Sequence, residues 1–371
     1  MKKLKIALLS PTVEPFQGWG RYTLEVCKQL WKKVHITLYL PENNPPPENL
    51  PFPVECVLPP FKKDFSSPES EKPFLSPVLK VEGDIIHSLV SFPYGILAFS
   101  LSKKKNIPYF ITAHGTYGVK PLLKRKERYL LENAYLNASR VLVPSHFTGR
   151  MIEKFLRKEI RWEFLPNGVD YEKFQKKIVL PSKWKGRKVL LNVGELKPRK
   201  GQDIIIKALP IVKKYFPEII LLLIGKDSWE GYLQKLVKKL RIEENVAFLG
   251  RVPEEELPGY YQIADVFIHT PRKIGWKFEG FGIVYLEAGA CGKPVVGSRS
   301  GGVEDAVIDG VTGILVPENN PSATARAILK ILKDPTLSKK LGEEGRKRAK
   351  ELSWERYCEK LIHLYNHSLN R

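Results

Sequence analysis

Two carboxylates, Glu279 and Glu287, stand eight residues apart in KFEGFGIVYLEAGACG, Lys277 to Gly292, one of the least polar segments of the chain. From Gly282 onward nearly every residue is apolar or small, so a helix here has no solvated face and must be buried. Glu287 would then lie inside a core. A buried carboxylate is costly unless it is paired or hydrogen-bonded, so Glu287 calls for an Arg or Lys from elsewhere, or for a ligand with hydroxyl donors. Glu279 precedes the helix, with Gly280, Phe281 and Gly282 between it and Ile283. Glycines leave the N–H groups of a helix start uncovered, and those donors together with the positive end of the helix dipole suit a phosphate. A loop carboxylate, an anion cradle over Gly280–Ile283 and a second carboxylate about two turns further on would suit a sugar, a diphosphate and a ribose in that order. The plain reading is a capping Glu followed by a salt-bridged core Glu.

Further residues have types and places that suit the same ligand. In NVGELKPRKGQDIIIKAL, Asn192 to Leu209, Gly194 ends an apolar run, Arg199 and Lys200 are adjacent and Gly201 opens a helical stretch. Two cations beside a helix start suit a diphosphate, Arg by gripping two oxygens at once and Lys as a point charge; the plain reading is solvated loop charge. Gly18, Trp19, Gly20 and Arg21 open the first helical stretch, where glycine lets backbone approach a ligand or makes only a tight turn. His114, followed by Gly115, ends an apolar run in ITAHGT, and His87 in IIHS is placed similarly. A lone histidine is more often structural than functional. Arg251 follows Gly250 at the end of another apolar run, and Ser300–Val303 reads equally as a ligand loop or an N-cap turn. Arg272 and Lys273 lie in the loop before Glu279, within reach of the same phosphates. No D-x-D occurs, so no motif for holding a metal at a diphosphate presents itself.

The pair Glu279 and Glu287, set in EGFGIVYLEA, resembles the E-x7-E signature of retaining glycosyltransferases with the GT-B fold, in particular glycosyltransferase family 4. The resemblance implies that Glu279 contacts the donor sugar, that the backbone from Gly280 to Ile283 holds the phosphate and that Glu287 binds the ribose hydroxyls. It further implies a glycine loop at Gly18 and Gly20 facing the diphosphate, His114 close to the donor hexose, and the nucleobase near Arg251. In the family an Arg follows the glycine of the GRL…KG loop; here that position is Glu195. Either Arg199 supplies the missing guanidinium, or the site takes a less charged donor state, or Glu195 pairs with a nearby cation. The run TPRKIGWKFEGFGIVYLEA is similar to phosphatidylinositol mannosyltransferases, which points toward GDP-mannose. The reaction so implied is transfer of a hexose from a GDP- or UDP-sugar to an acceptor hydroxyl, a glycan or a lipid-linked one. It proceeds with retention and without cofactor or metal, and its catalytic residues are His114, Glu279, Arg199 and Lys200. A sugar phosphorylase of the same fold, a non-catalytic sugar-nucleotide binder and a nucleic-acid binder explained by charge are the rival readings.

The elements that must position these residues alternate. Short apolar runs at Leu4–Leu9, His35–Leu40, Asp84–Val90, Pro108–Ala113 and Arg140–Pro144 predict strands of a first domain, with a helix over Arg21–Lys33. Runs at Val189–Val193, Ile219–Ile224, Asn245–Leu249, Asp265–His269 and Pro294–Gly297 predict those of a second. Alternation with helices argues for two doubly wound parallel sheets, covered on both faces and facing a cleft, with ligands at the carboxyl ends of the strands. The expected domains are residues 1–170, 171–352 and a terminal helix over 353–371. The terminal helix carries its apolar stripe at Trp354, Tyr357, Leu361 and Tyr365, and the resemblance implies that it crosses back to the first domain. Pro41–Pro77 reads as an extended, proline-rich loop system.

The chain has 371 residues and a formal net charge of +21, shared by both halves. Such a Lys-dominated excess fits the solvated surface of a thermophile's protein, attraction to anionic lipid headgroups, or attraction to nucleic acid. Two Met and proline-rich loops favour the first, and no nucleic acid is expected as a partner. No apolar run approaches the ~20 residues of a membrane span, and the start is too soon broken by Pro11 for a signal peptide, so a cytoplasmic protein is expected. Four widely spaced cysteines speak against a zinc site or a disulfide framework. The segment Val119–Asn137 interleaves Lys120, Lys124, Arg125, Lys126 and Arg128 with leucines and Tyr129, as suits a helix lying on the inner face of an anionic membrane. An ordinary surface helix is its plain alternative.

Overall fold

The computed structural model describes residues 3–14, 18–46, 50–62, 64–65, 67–76, 80–180 and 183–369. They form two compact units, Met1–Pro166 with Trp354–Arg371, and Asn167–Ser353. The first unit is built on β1 (Lys5–Leu9), β2 (His35–Pro41), β3 (Val54–Leu58), β4 (Ile85–Ser88), β5 (Tyr109–Thr112), β6 (Arg140–Val143) and β7 (Trp162–Phe164). The second holds β8 (Val189–Val193), β9 (Ile220–Ile224), β10 (Val246–Gly250), β11 (Val266–His269), β12 (Val295–Ser298) and β13 (Gly313–Val316). All neighbours pair in parallel, in the orders β3-β2-β1-β4-β5-β6-β7 and β10-β9-β8-β11-β12-β13. Central strands such as VLLNV and ILLLI are buried along their whole length, as a sheet covered by helices on both faces requires. Each sheet reverses its winding beside its first strand, between β1 and β4 and between β8 and β11. The carboxyl ends of strands at such a switch point are where open α/β sheets take ligands.

Three strands escape the apolar-run reading. β3 and β7 are edge strands of intermediate burial, too short and too polar to stand out, and β13 is only GILV. The stretch expected as one extended loop, Pro41–Pro77, instead contains β3 and the Pro68–Leu75 helix. Proline at the first helical position and a capping box between Ser67 and Ser70 start that helix, so proline there nucleates order. Its end at Pro77 lies outside the described residues.

The terminal Trp354–Leu369 helix packs on the first unit with its expected stripe buried. Tyr357 and Tyr22 share a 2.5 Å hydroxyl contact, Tyr365 lies 2.6 Å from His87 Nδ1, and His87 Nε2 lies 2.9 Å from Thr112 Oγ1. His87 is thereby a fully buried core histidine. Burial, then the nearby His114 ring, pushes its pKa down to about 3, and no ligand role is left for it.

Candidate functional site

In the second unit the switch point gathers three side chains around one carboxylate oxygen. Glu279 Oε2 lies 2.6 Å from Lys200 Nζ, 3.0 Å from Arg199 Nη1 and 3.4 Å from His269 Nε2. Lys200 and Arg199 come from the loop after β8, and His269 is the last residue of β11. Gly201 fixes how closely the first loop approaches the second strand: at φ +72° its position would put a Cβ 1.9 Å from the Thr270 carbonyl, and Thr270 Oγ1 donates to the Gly201 carbonyl. Gly301 does the same for the Glu279 loop. A Cβ there would meet the Glu279 carbonyl at 2.4 Å, and the Gly302 N–H donates to that carbonyl at 2.8 Å.

The electrostatics follow from burial against charge. Burial alone would raise the pKa of Glu279, but Lys200 and Arg199, helped by the His269 hydrogen bond, outweigh it and hold the carboxyl well below the usual range. Lys200 is lowered because burial disfavours its charge more than Glu279 restores it. Burial, reinforced by Lys200, lowers His269 to about 4, so at neutral pH it is an uncharged donor. Its tautomer follows from its neighbour. The Asn192 amide donates to the Ile268 carbonyl and lies 3.2 Å from His269 Nδ1, so Nδ1 accepts and the proton sits on Nε2, facing Glu279. With Glu279 ionised and both cations charged, the cluster carries a net positive charge.

The Ile283–Ala290 helix starts beside Glu279. Gly282 is its N-cap at φ +95°, and no side chain caps the first turn. Phe281 is buried, while Gly280, Gly282 and Ile283 remain partly accessible. The far end of the helix is packed, with Gly289 so close to the Gly345 carbonyl that a Cβ would lie 2.6 Å from it. Glu287 is buried as expected and accepts a 2.6 Å hydrogen bond from the Tyr261 hydroxyl. Gly194 ends β8 at φ +143°, its N–H donating to the Ile224 carbonyl. Arg251 is exposed beyond the end of β10.

Two cations near Glu279 have other partners. Arg272 grips the buried Asp203 with both guanidinium nitrogens, at 2.7 and 3.2 Å, and also donates to the Pro198 carbonyl, so it braces the loop. The Lys273 side chain is exposed and its N–H meets Glu318. Glu195, exposed, pairs with Lys197. Burial raises its pKa, and hydrogen bonds from Lys197 and Ser228 overcome that and lower it.

In the first unit His114 stands just past β5, partly buried, its Nε2 donating to the Leu89 carbonyl at 2.8 Å and its ring edge-on to Tyr22. A carbonyl can only accept, so the proton is on Nε2 and Nδ1 is an acceptor. Burial lowers its pKa to about 4, with the Leu89 bond opposing. Gly18 opens the Gly18–Trp31 helix, and among the described residues nothing lies within 4 Å of a would-be Cβ. Gly20 is needed for packing, since a Cβ there would lie 2.1 Å from the Glu14 carbonyl. His269 and Asn192 went unmarked in the sequence, although the strand-end reasoning that singled out His114 applies equally to His269.

Residues 16–173 match the family described as Glycosyltransferase Family 4, and residues 173–348 the family described as Glycosyl transferases group 1. A glycosyltransferase of Methanocaldococcus jannaschii, described as uncharacterized, is 30% identical over 292 residues, 75% of this chain and 74% of that protein. A GDP-mannose-dependent alpha-(1-6)-phosphatidylinositol monomannoside mannosyltransferase of Mycolicibacterium smegmatis is 38% identical over 192 residues. That match spans half of each protein. Among solved structures, HepE of Anabaena in complex with UDP and glucose superposes with a TM-score of 0.78 at 20% identity, covering 98% of this chain and 100% of that one. Sucrose-phosphate synthase of Thermosynechococcus elongatus gives 0.78 at 24% identity, covering 98% and 99%. Two parallel sheets with the same winding, matched by one family in the first half and another in the second, place this chain among the glycosyltransferases of the GT-B fold.

Proposed function

We propose that the chain is a retaining hexosyltransferase that carries a hexose from a nucleoside diphosphate sugar to an acceptor hydroxyl. The observation that carries this reading is the cluster at the switch point. Arg199 and Lys200 converge on Glu279 immediately before an uncapped helix start, and Glu287 is buried on that helix. In this reading the two cations and the N–H groups from Gly280 to Ile283 hold the diphosphate, Glu279 faces the sugar, and Glu287 takes the ribose hydroxyls. The bond from the anomeric carbon to phosphate breaks as the bond to the acceptor oxygen forms on the same face, and the acceptor's proton goes to the departing phosphate oxygen. Negative charge grows on that leaving group, so fixed cations aimed at it lower the barrier without a metal. The relative from Mycolicibacterium smegmatis favours GDP-mannose as donor and a lipid-linked acceptor.

Calorimetry with GDP, UDP and ADP tests the donor. One base binding at least about tenfold more tightly than the others, a gap of ~1.4 kcal/mol, supports the reading, and no binding to any of the three overturns it. The anomeric configuration of the product, read by NMR, tests retention.

A further inference from the structure

We infer that Glu279 serves the ligand-free site as the counter-anion of Arg199 and Lys200, and that the donor's diphosphate takes its place. The inference rests on the reading above, that these two cations hold the diphosphate. Both are mostly buried, with side chains 17% exposed. Cations removed from water to this extent need an anion, or the uncompensated charge destabilises the fold. In the absence of ligand Glu279 supplies it, through one oxygen shared by both side chains.

The geometry lets the carboxylate leave without moving the loop. The backbone of Glu279 is pinned at its carbonyl by the Gly302 N–H and by the close approach of Gly301, so exchange is a rotation of the side chain. His269, the third contact, is neutral and offers a single long hydrogen bond, so it does not anchor the carboxylate against an incoming dianion. Exchange replaces one ion pair with another, which keeps the cations compensated throughout. It also ties the two halves of donor recognition together, because Oε2 of Glu279 is released from the cations when a diphosphate displaces it.

Inorganic pyrophosphate, which carries no base, ribose or sugar, isolates the exchange. By calorimetry, Glu279→Gln removes the competing anion and is expected to bind pyrophosphate roughly tenfold more tightly than the unmodified protein, a modest share of the attraction between adjacent charges in a partly buried site. The same substitution lowers transfer. Lys200→Ala and Arg199→Ala are expected to weaken pyrophosphate binding at least about fivefold, as loss of a charged hydrogen bond does. If neither weakens it, the assignment of the diphosphate to these cations fails. If they weaken it and Glu279→Gln binds no more tightly than the unmodified protein, the assignment stands and the exchange is overturned. Glu279→Ala, verified as folded by circular dichroism at the temperature of the titration, guards against a Gln amide that keeps the contact to Lys200, and equal or weaker binding in both variants overturns the exchange.

Discussion

Glu287 and Glu279 are both buried carboxylates, yet their surroundings differ. Glu279 sits between two cations, whereas Glu287 takes a hydrogen bond from the uncharged Tyr261 hydroxyl deep among apolar side chains. Glu287→Gln is expected to weaken nucleotide binding by about 1–3 kcal/mol, the range for losing a charged partner, with the melting temperature little changed. A large loss of stability with affinity intact would show instead that Glu287 is a core residue only. At the cations the expectation is kinetic. Arg199→Ala and Lys200→Ala should lower kcat more than they impair recognition of the sugar ring, because the charge they meet grows as the bond breaks. Steady-state kinetics unchanged in both variants would remove this loop from the reaction.

At the scale of elements, the glycines separate packing from ligand approach. Gly201 is forced by φ +72° and by the Thr270 carbonyl, so Gly201→Ala is expected to destabilise the second unit by at least about 2 kcal/mol, measured by urea unfolding. Among the described residues nothing lies within 4 Å of a Cβ placed on Gly18, so Gly18→Ala should leave stability unchanged within about 0.5 kcal/mol. Any loss of transfer in that variant then reports the approach of a ligand to the backbone, and transfer equal to the parent argues for a plain helix start. These positions also show what the sequence made legible. The central strands are continuous apolar runs and declare themselves, and the terminal helix announces its stripe through Trp354, Tyr357, Leu361 and Tyr365. β3, β7 and β13 do not, because a short strand that is half exposed or only four residues long lacks a period to read. In the site, Glu279, Glu287, Arg199 and Lys200 are recognisable from residue type and spacing along the chain. The convergence of Arg199 and Lys200 on Glu279 and His269 is not, since it depends on β8 and β11 being neighbours in the sheet, a pairing between residues far apart in sequence.

Over the whole molecule, three histidines, two buried and one partly buried, shape the response to acid. His87, His114 and His269 have folded pKa values depressed to about 3, 4 and 4, against 6.5 when exposed. Each contributes stability that is fully present above pH 6.5 and is lost as pH falls toward its folded value, because the unfolded chain binds a proton that the native one refuses. Each adds a slope of up to about 1.4 kcal/mol per pH unit within that window. The urea midpoint should therefore hold from pH 7.5 to about 6.5 and fall from there to pH 5, and an equal midpoint at pH 7.5 and pH 5 would contradict the burial described. The charge of +21 raises a separate question about surfaces. Among the described residues no helix is long and apolar enough to cross a membrane. The Val119–Asn137 stretch, expected as one interfacial helix, is a short turn of helix followed by the Arg125–Asn137 helix. Leu122 and Leu131 lie in the core, and Lys124, Lys126 and Arg128 meet Asp64, Glu71 and Glu132. What faces outward is Leu123 and Tyr129, with Lys120 and Arg125 beside them in the chain. We propose that this smaller set meets an anionic bilayer, each cation near the surface contributing about 1 kcal/mol at low salt and less as the Debye length shrinks. In sedimentation with vesicles, binding should require anionic lipid, fade with added salt and drop when Arg125 and Tyr129 become Glu and Ser. Protein that stays in the supernatant at low salt, with anionic vesicles in excess, assigns the surplus charge to an ordinary solvated surface.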